Sequence, residues 1–148
     1  MDSRGELRLD PGAIPFTGAE SDIELVVAYT EWSVTAAVLQ QAARLVNGLN
    51  AKVLLLAVHT VPYPASFASA TASHAHLVGQ LVDLAALCAL PVTPEVVLAR
   101  GREEGFRYML KPESIVLVGS RRHPWQTPEE RLAHALADAG HRVALIHI

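Results

Sequence analysis

The chain has 148 residues, of which 51% are hydrophobic, and a formal net charge of −3. This length predicts one domain with its own core, and the slightly acidic balance argues against nucleic acid as a partner. The apolar runs are too short to span a membrane, and the chain lacks the early basic-then-apolar segment that would predict secretion. The single cysteine, Cys88, excludes an internal disulfide and paired-cysteine metal or redox motifs. We therefore expect a cytoplasmic protein with no membrane partner.

Apolar runs and turn signals predict the strands of one α/β domain. Residues 1–21 mix charge, glycine and proline without periodicity, so they predict a flexible N-terminal extension, and the domain is expected at 22–148. Continuous apolar runs of this kind are typical of buried parallel strands. The predicted strands are Asp22–Tyr29, Ala51–Val61, Pro94–Ala99, the run from Ser114 to Ser120, and Val143–Ile148.

Helical patterns separate these strands. The first predicted helix follows Ser33, a potential N-cap, and stops at Asn47-Gly48, while the next two cover His74–Leu90 and Glu103–Leu110. The small, weakly polar segment Ala65–Ser73 predicts either a flexible loop or an early helical turn.

The fourth predicted helix has the clearest start in the chain. Thr127 is a good N-cap, Pro128 suits the first helical position, and Glu130 completes a capping box. The alternation of strands and helices predicts an open, mainly parallel five-stranded sheet with helices on both faces, a Rossmann-like α/β fold.

Ligands of such sheets bind at the carboxyl ends of the strands. A glycine where a strand stops lets backbone amides approach a ligand, and arginines beside it favour a phosphate, although a solvated arginine pair is the alternative. The candidate binding residues at these ends are Ala28, Tyr29, Thr30, Val58, Gly101, Gly119, Ser120, Arg121 and Arg122. Two tryptophans, Trp32 and Trp125, lie in predicted loops, where they either pack locally or stack on a ligand or partner.

The standard catalytic and phosphate-binding motifs are absent. No Walker loop is present, and Tyr29-Thr30-Glu31-Trp32 follows the first strand in place of the glycines of a dinucleotide site. The seven histidines show no zinc-ligand spacing, and neither Ser33 nor Ser120 lies in a nucleophile-elbow pattern. We expect no catalytic residues and no metal site.

Two local strings carry a family resemblance. Glu31, Ser33 and Ala36 fit V-D-G-S-E-x-S-x-x-A after the first strand, and Gly119-Ser120 fits V-x-G-S-x-G at the end of the fourth. With the order of elements, they resemble the universal stress protein family from about Asp22 to Ile148. The resemblance implies a Rossmann-like fold of the adenine nucleotide alpha hydrolase type, and ATP at the strand ends in the nucleotide-binding members.

The chain departs from the family's ATP motif at three points. Ala28 occupies the place of the aspartate that binds adenine, Arg122 replaces the second glycine, and Leu132-Ala133 replaces a Gly-Ser or Gly-Thr pair. The resemblance therefore implies a non-enzymatic binding or regulatory protein without the standard ATP site, which acts through a protein partner or another small ligand. The alternative is that ATP or AMP still binds at Gly119–Arg122, with the arginines in place of the lost backbone amides.

The last predicted strand also bears on assembly. Family members commonly dimerise by pairing their last strands, and an unpaired apolar edge at Val143–Ile148 would promote aggregation. The sequence and the resemblance together predict a homodimer through this strand.

Overall fold

The computed structural model describes residues 6–8, 23–112 and 114–148. Within this part of the chain, a sheet of six parallel strands is flanked by four α-helices. The strands are β1 (Glu6–Arg8), β2 (Ile23–Ala28), β3 (Ala51–Thr60), β4 (Val92–Ala99), β5 (Ile115–Ser120) and β6 (Arg142–His147). The helices are α1 (Trp32–Leu45), α2 (Thr71–Ala86), α3 (Arg102–Met109) and α4 (Pro128–Asp138), and a 3-10 turn at Phe67–Ala70 leads directly into α2.

The strand order is β1-β6-β5-β2-β3-β4, and every neighbouring pair is parallel. The predicted Rossmann-like α/β fold is therefore confirmed, and all five predicted strands are present. The sixth strand, β1, lies within the predicted N-terminal extension, whose other residues fall outside the described part of the chain. No helix among the described residues is long and apolar enough to cross a bilayer.

Strand β1 lies beside β6, at the edge where the last strand was predicted to be unpaired. Leu7 pairs with Ala144, and Arg8 pairs with Leu145, so β1 covers the outer edge of β6. The premise that this edge of the last strand is unpaired is therefore wrong. The homodimer itself stays a prediction, and pairing of two β6 strands requires that β1 leave this edge.

The core has one layer on each face of the sheet. Leu25 and Val27 of β2 pack with α1 and α2, and Val26 and Ala28 of the same strand pack with α3 and α4. All four side chains are at most 1% exposed. This burial on both faces explains why Leu25–Ala28 of β2 form a continuous apolar run, since these residues of a central parallel strand do not face water.

Two predicted helix starts had different outcomes. The capping box at Thr127 is confirmed, because its hydroxyl accepts a hydrogen bond from the Glu130 amide at 3.1 Å and its amide donates to the Glu130 carboxylate at 2.9 Å. The prediction that Ser33 caps α1 is wrong, because the N-cap position is Glu31. The hydroxyl of Ser33 instead accepts a hydrogen bond from Arg121.

Candidate functional site

A crevice lies where β2 and β5 end side by side. In the sheet, β2 has β3 on one side and β5 on the other, so the chain changes direction across the sheet between β2 and β5. Ligands of open α/β sheets generally bind at such a point. We call this cavity the strand-end crevice. Its lining consists of Thr30, Glu31, Val34, Gly119, Ser120, Arg121, His123, Trp125, Thr127, Pro128 and Glu129.

The strand-end crevice is small. Its volume is about 170 Å³, whereas sites for small molecules and cofactors generally enclose about 300 to 1,000 Å³. In this conformation it has room for a small ion or a fragment of a larger ligand. A nucleotide requires rearrangement of the side chains that narrow it.

An arginine–glutamate pair joins the two sides of the crevice. Arg121 Nε lies 3.2 Å from Glu31 Oε1, and Arg121 Nη2 lies 3.0 Å from Glu31 Oε2. The same Nη2 donates to the Ser33 hydroxyl at 2.7 Å. The guanidinium predicted to meet a phosphate is therefore paired with a carboxylate of the chain itself.

The ion pair between Arg121 and Glu31 depends on pH. The hydrogen bond from Arg121 holds the pKa of Glu31 below its ordinary value, and the same contact raises the pKa of Arg121. Because the folded-state pKa of Glu31 is lowered, the pair's contribution to stability is present above the ordinary glutamate pKa and is lost as the pH falls through the lowered value.

An NMR titration of the Glu31 carboxyl carbon checks this prediction. We expect its midpoint to rise in the Arg121→Ala variant, since that change removes the donor that stabilises the carboxylate. Arg107→Ala, which removes an exposed arginine on α3, is the control and leaves the midpoint unchanged. An equal midpoint in wild type and Arg121→Ala would show that the pair does not form in solution.

Gly119 allows α1 to pack closely on β5. A Cβ atom at this position would lie 2.5 Å from Val38 Cγ2 and 2.7 Å from Val34 Cγ1, which is closer than carbon atoms approach without repulsion. Both valines are buried in α1. The structure therefore gives this glycine a packing role that the sequence pattern did not reveal.

Ser120 is also engaged in the fold. It is 1% exposed, and its hydroxyl lies 2.7 Å from the hydroxyl of Thr127. It also donates to the backbone carbonyl of Arg121 at 3.2 Å. These contacts tie the end of β5 to the N-terminus of α4, and the partners are a hydroxyl and a carbonyl rather than a general base.

Four of the sequence-predicted site residues line the crevice: Thr30, Gly119, Ser120 and Arg121. Thr30 is held at its edge by a hydrogen bond from its amide to the Thr35 hydroxyl at 3.2 Å. The remaining candidates, which are Ala28, Tyr29, Val58, Gly101 and Arg122, are not part of its lining.

The excluded candidates have other surroundings. Ala28 is in the buried core beneath α3 and α4, and Val58 packs against the same core. Tyr29 packs against the core on the other face, and burial together with the Glu31 carboxylate raises the pKa of its phenol. Gly101 is the N-cap residue of α3. Arg122 is exposed in the loop after β5.

The β5–α4 loop and the first turn of α4 supply lining residues that the sequence analysis had not assigned to the site, notably His123 from the loop and Glu129 from the helix. Trp125 is 67% exposed, and its ring centroid lies 5.2 Å from that of His123. This contact accounts for only part of the tryptophan surface, so stacking on a ligand stays open as an interpretation. Trp32, predicted in a loop, is instead the first residue of α1 and is 37% exposed.

Comparison with known proteins adds no further assignment. No protein-family model matches the chain, and no curated protein shows significant similarity to it. Among the described residues, no three histidine, cysteine, aspartate or glutamate side chains are grouped so as to hold a metal ion. The resemblance to universal stress proteins thus stays an interpretation of the sequence motifs.

Proposed function

We propose that the protein is a non-enzymatic cytoplasmic binding or regulatory module, similar to universal stress proteins, that works without the standard ATP site of that family. One observation carries the proposal: Arg121 crosses the strand-end crevice and pairs with Glu31 and Ser33. One of the two arginines predicted to meet a phosphate is therefore already paired with a carboxylate. The module then acts through a protein partner or a small ligand other than ATP.

The neighbouring positions support the same conclusion. A triphosphate is generally held by backbone amides that a glycine-rich loop leaves accessible. Here Gly119 packs against α1, and Ser120 is hydrogen-bonded to Thr127. Ala28 has no side-chain group that hydrogen-bonds an adenine, and it is 1% exposed. The predicted homodimer through β6 belongs to this proposal, with displacement of β1 as its structural requirement.

Mass spectrometry of the small molecules released by heating the purified full chain tests the proposal. We expect no adenine nucleotide at a level near one per chain, and a different small molecule, if one copurifies, identifies the ligand. Protein mixed with a known amount of ATP before heating controls for recovery. Stoichiometric ATP or AMP from the untreated protein would contradict the proposal.

A second candidate function is adenine-nucleotide binding in a non-standard manner. The observation that favours it is Arg122, which is exposed and makes no hydrogen bond or ion pair with any described residue. It lies three positions before the exposed Trp125, so one loop offers both a cation and an aromatic face.

Calorimetric titration with magnesium and ATP distinguishes the two candidates. The second candidate predicts micromolar affinity in wild type and in an Arg107→Ala control, with loss of binding in Arg122→Ala. Our first proposal predicts no measurable heat of binding in all three proteins. Binding that survives Arg122→Ala would contradict both accounts.

A further inference from the structure

A second cavity lies away from the strand-end crevice, between α1 and the end of α2. Leu39 and Ala43 contribute one side, and Leu84, Cys88 and Leu90 contribute the other. We call it the helix groove. Its volume is about 440 Å³, which is within the range of sites that hold small molecules.

The helix groove exposes apolar surface that the fold does not cover. Leu87, at the end of α2, also lines it and is 74% exposed. Leu39 and Leu84 are each 1% exposed, so they form a floor that is continuous with the core. Such a surface favours an apolar occupant because its contact removes hydrocarbon from water.

The charge at the groove comes from Arg44, which is among its lining residues and is exposed. The guanidinium of Arg44 makes no hydrogen bond or ion pair with any described residue, whereas its backbone carbonyl accepts a hydrogen bond from the Asn47 amide. No described aspartate or glutamate lines the groove.

We propose that the helix groove binds an anionic amphiphile of the fatty-acid class, with its hydrocarbon chain along Leu87 and Leu90 and its carboxylate at Arg44. Charge complementarity selects the anion, since the guanidinium of Arg44 lacks a partner and no described acidic residue lines the groove. The exposed apolar lining selects the hydrocarbon. This site is separate from the strand-end crevice, so its test is independent of the proposed function.

Titration of the full chain with decanoate tests the proposal. We expect saturable binding, and octanoate, which lacks two methylene groups, should bind about fifteenfold more weakly, from about fourfold per methylene buried. Arg44→Gln should weaken decanoate binding about threefold to fivefold, as expected for a partly exposed ion pair. Decanol, which has no carboxylate, should bind wild type and Arg44→Gln equally. Arg107→Gln, on the opposite face of the sheet, is the matched control and leaves decanoate binding unchanged.

Cys88 reports occupancy at the site itself because it is the only cysteine of the chain and lines the groove. Burial raises the pKa of its thiol, so its alkylation by iodoacetamide is slow at neutral pH. Bound decanoate should slow the alkylation of Cys88 further. The decanoate concentration that gives half of the maximal protection should equal the dissociation constant found by titration. Failure of decanoate to protect Cys88, equal binding of octanoate and decanoate, or no effect of Arg44→Gln would overturn the proposal. Protection that rises with protein concentration alone would also overturn it, since a second copy would then cover the groove.

Discussion

Gly119→Ala is expected to lower the free energy of unfolding by about 1 to 3 kcal/mol, the usual cost of inserting a methyl group into a packed core. The new Cβ would meet Val38 Cγ2 at 2.5 Å and Val34 Cγ1 at 2.7 Å. Neither valine has space to retreat, because Val38 is 1% and Val34 is 3% exposed. Urea denaturation of wild type and variant measures the change.

Gly79→Ala is the matched control for this change. Gly79 lies in α2, and a Cβ there would meet no atom within 4 Å. The substitution should stabilise the protein by about 0.5 to 1 kcal/mol, because alanine favours a helix interior more than glycine does. If Gly119→Ala behaves like Gly79→Ala, the packing role of Gly119 is wrong, and the glycine is available to a ligand.

Thr127→Val is expected to lower the free energy of unfolding by about 2 to 3 kcal/mol, because it removes a helix cap and a buried hydrogen bond together. The substitution keeps the shape of the side chain and replaces its hydroxyl with a methyl group. That hydroxyl accepts from the Glu130 amide at 3.1 Å and lies 2.7 Å from the Ser120 hydroxyl. Thr127 is 5% exposed, so water does not replace these partners.

Thr71→Val provides the comparison for this prediction. Thr71 begins α2, is exposed, and uses its hydroxyl in one hydrogen bond to the Ala68 carbonyl at 2.8 Å. We expect a change within about 0.5 kcal/mol, which is usual for surface substitutions. Equal losses for both variants by urea denaturation would show that the contact between Ser120 and Thr127 contributes little.

Local patterns in the sequence predicted most of the fold. The strands were recognisable because a parallel strand with helices on both faces has a continuous apolar run, as in Leu25–Ala28 of β2 and Ile115–Val118 of β5. The start of α4 was recognisable because a capping box lies within four consecutive residues. In both cases neighbouring residues alone specify the structure.

The features that the sequence did not reveal depend on contacts between distant residues. Arg121 and Glu31 are 90 positions apart, so the pair across the crevice has no local pattern. The role of Gly119 depends on where α1 packs, and the pairing of β1 depends on where β6 lies in the sheet. Ser33 matched an N-cap by residue type, although its hydroxyl bonds Arg121 instead. The sequence therefore predicted four residues that line the strand-end crevice, but it did not predict their contacts.

The amide resonances of Gly119 and Ser120 in the presence of magnesium and ATP test the central claim most directly. The claim is that contacts within the protein already engage Gly119, Ser120 and Arg121, which would otherwise be available to a triphosphate. We predict that millimolar ATP leaves both resonances and the Glu31 carboxyl signal unshifted. Saturable shifts of the two amides at micromolar ATP, together with a shift of the Glu31 signal as Arg121 is released, would contradict it.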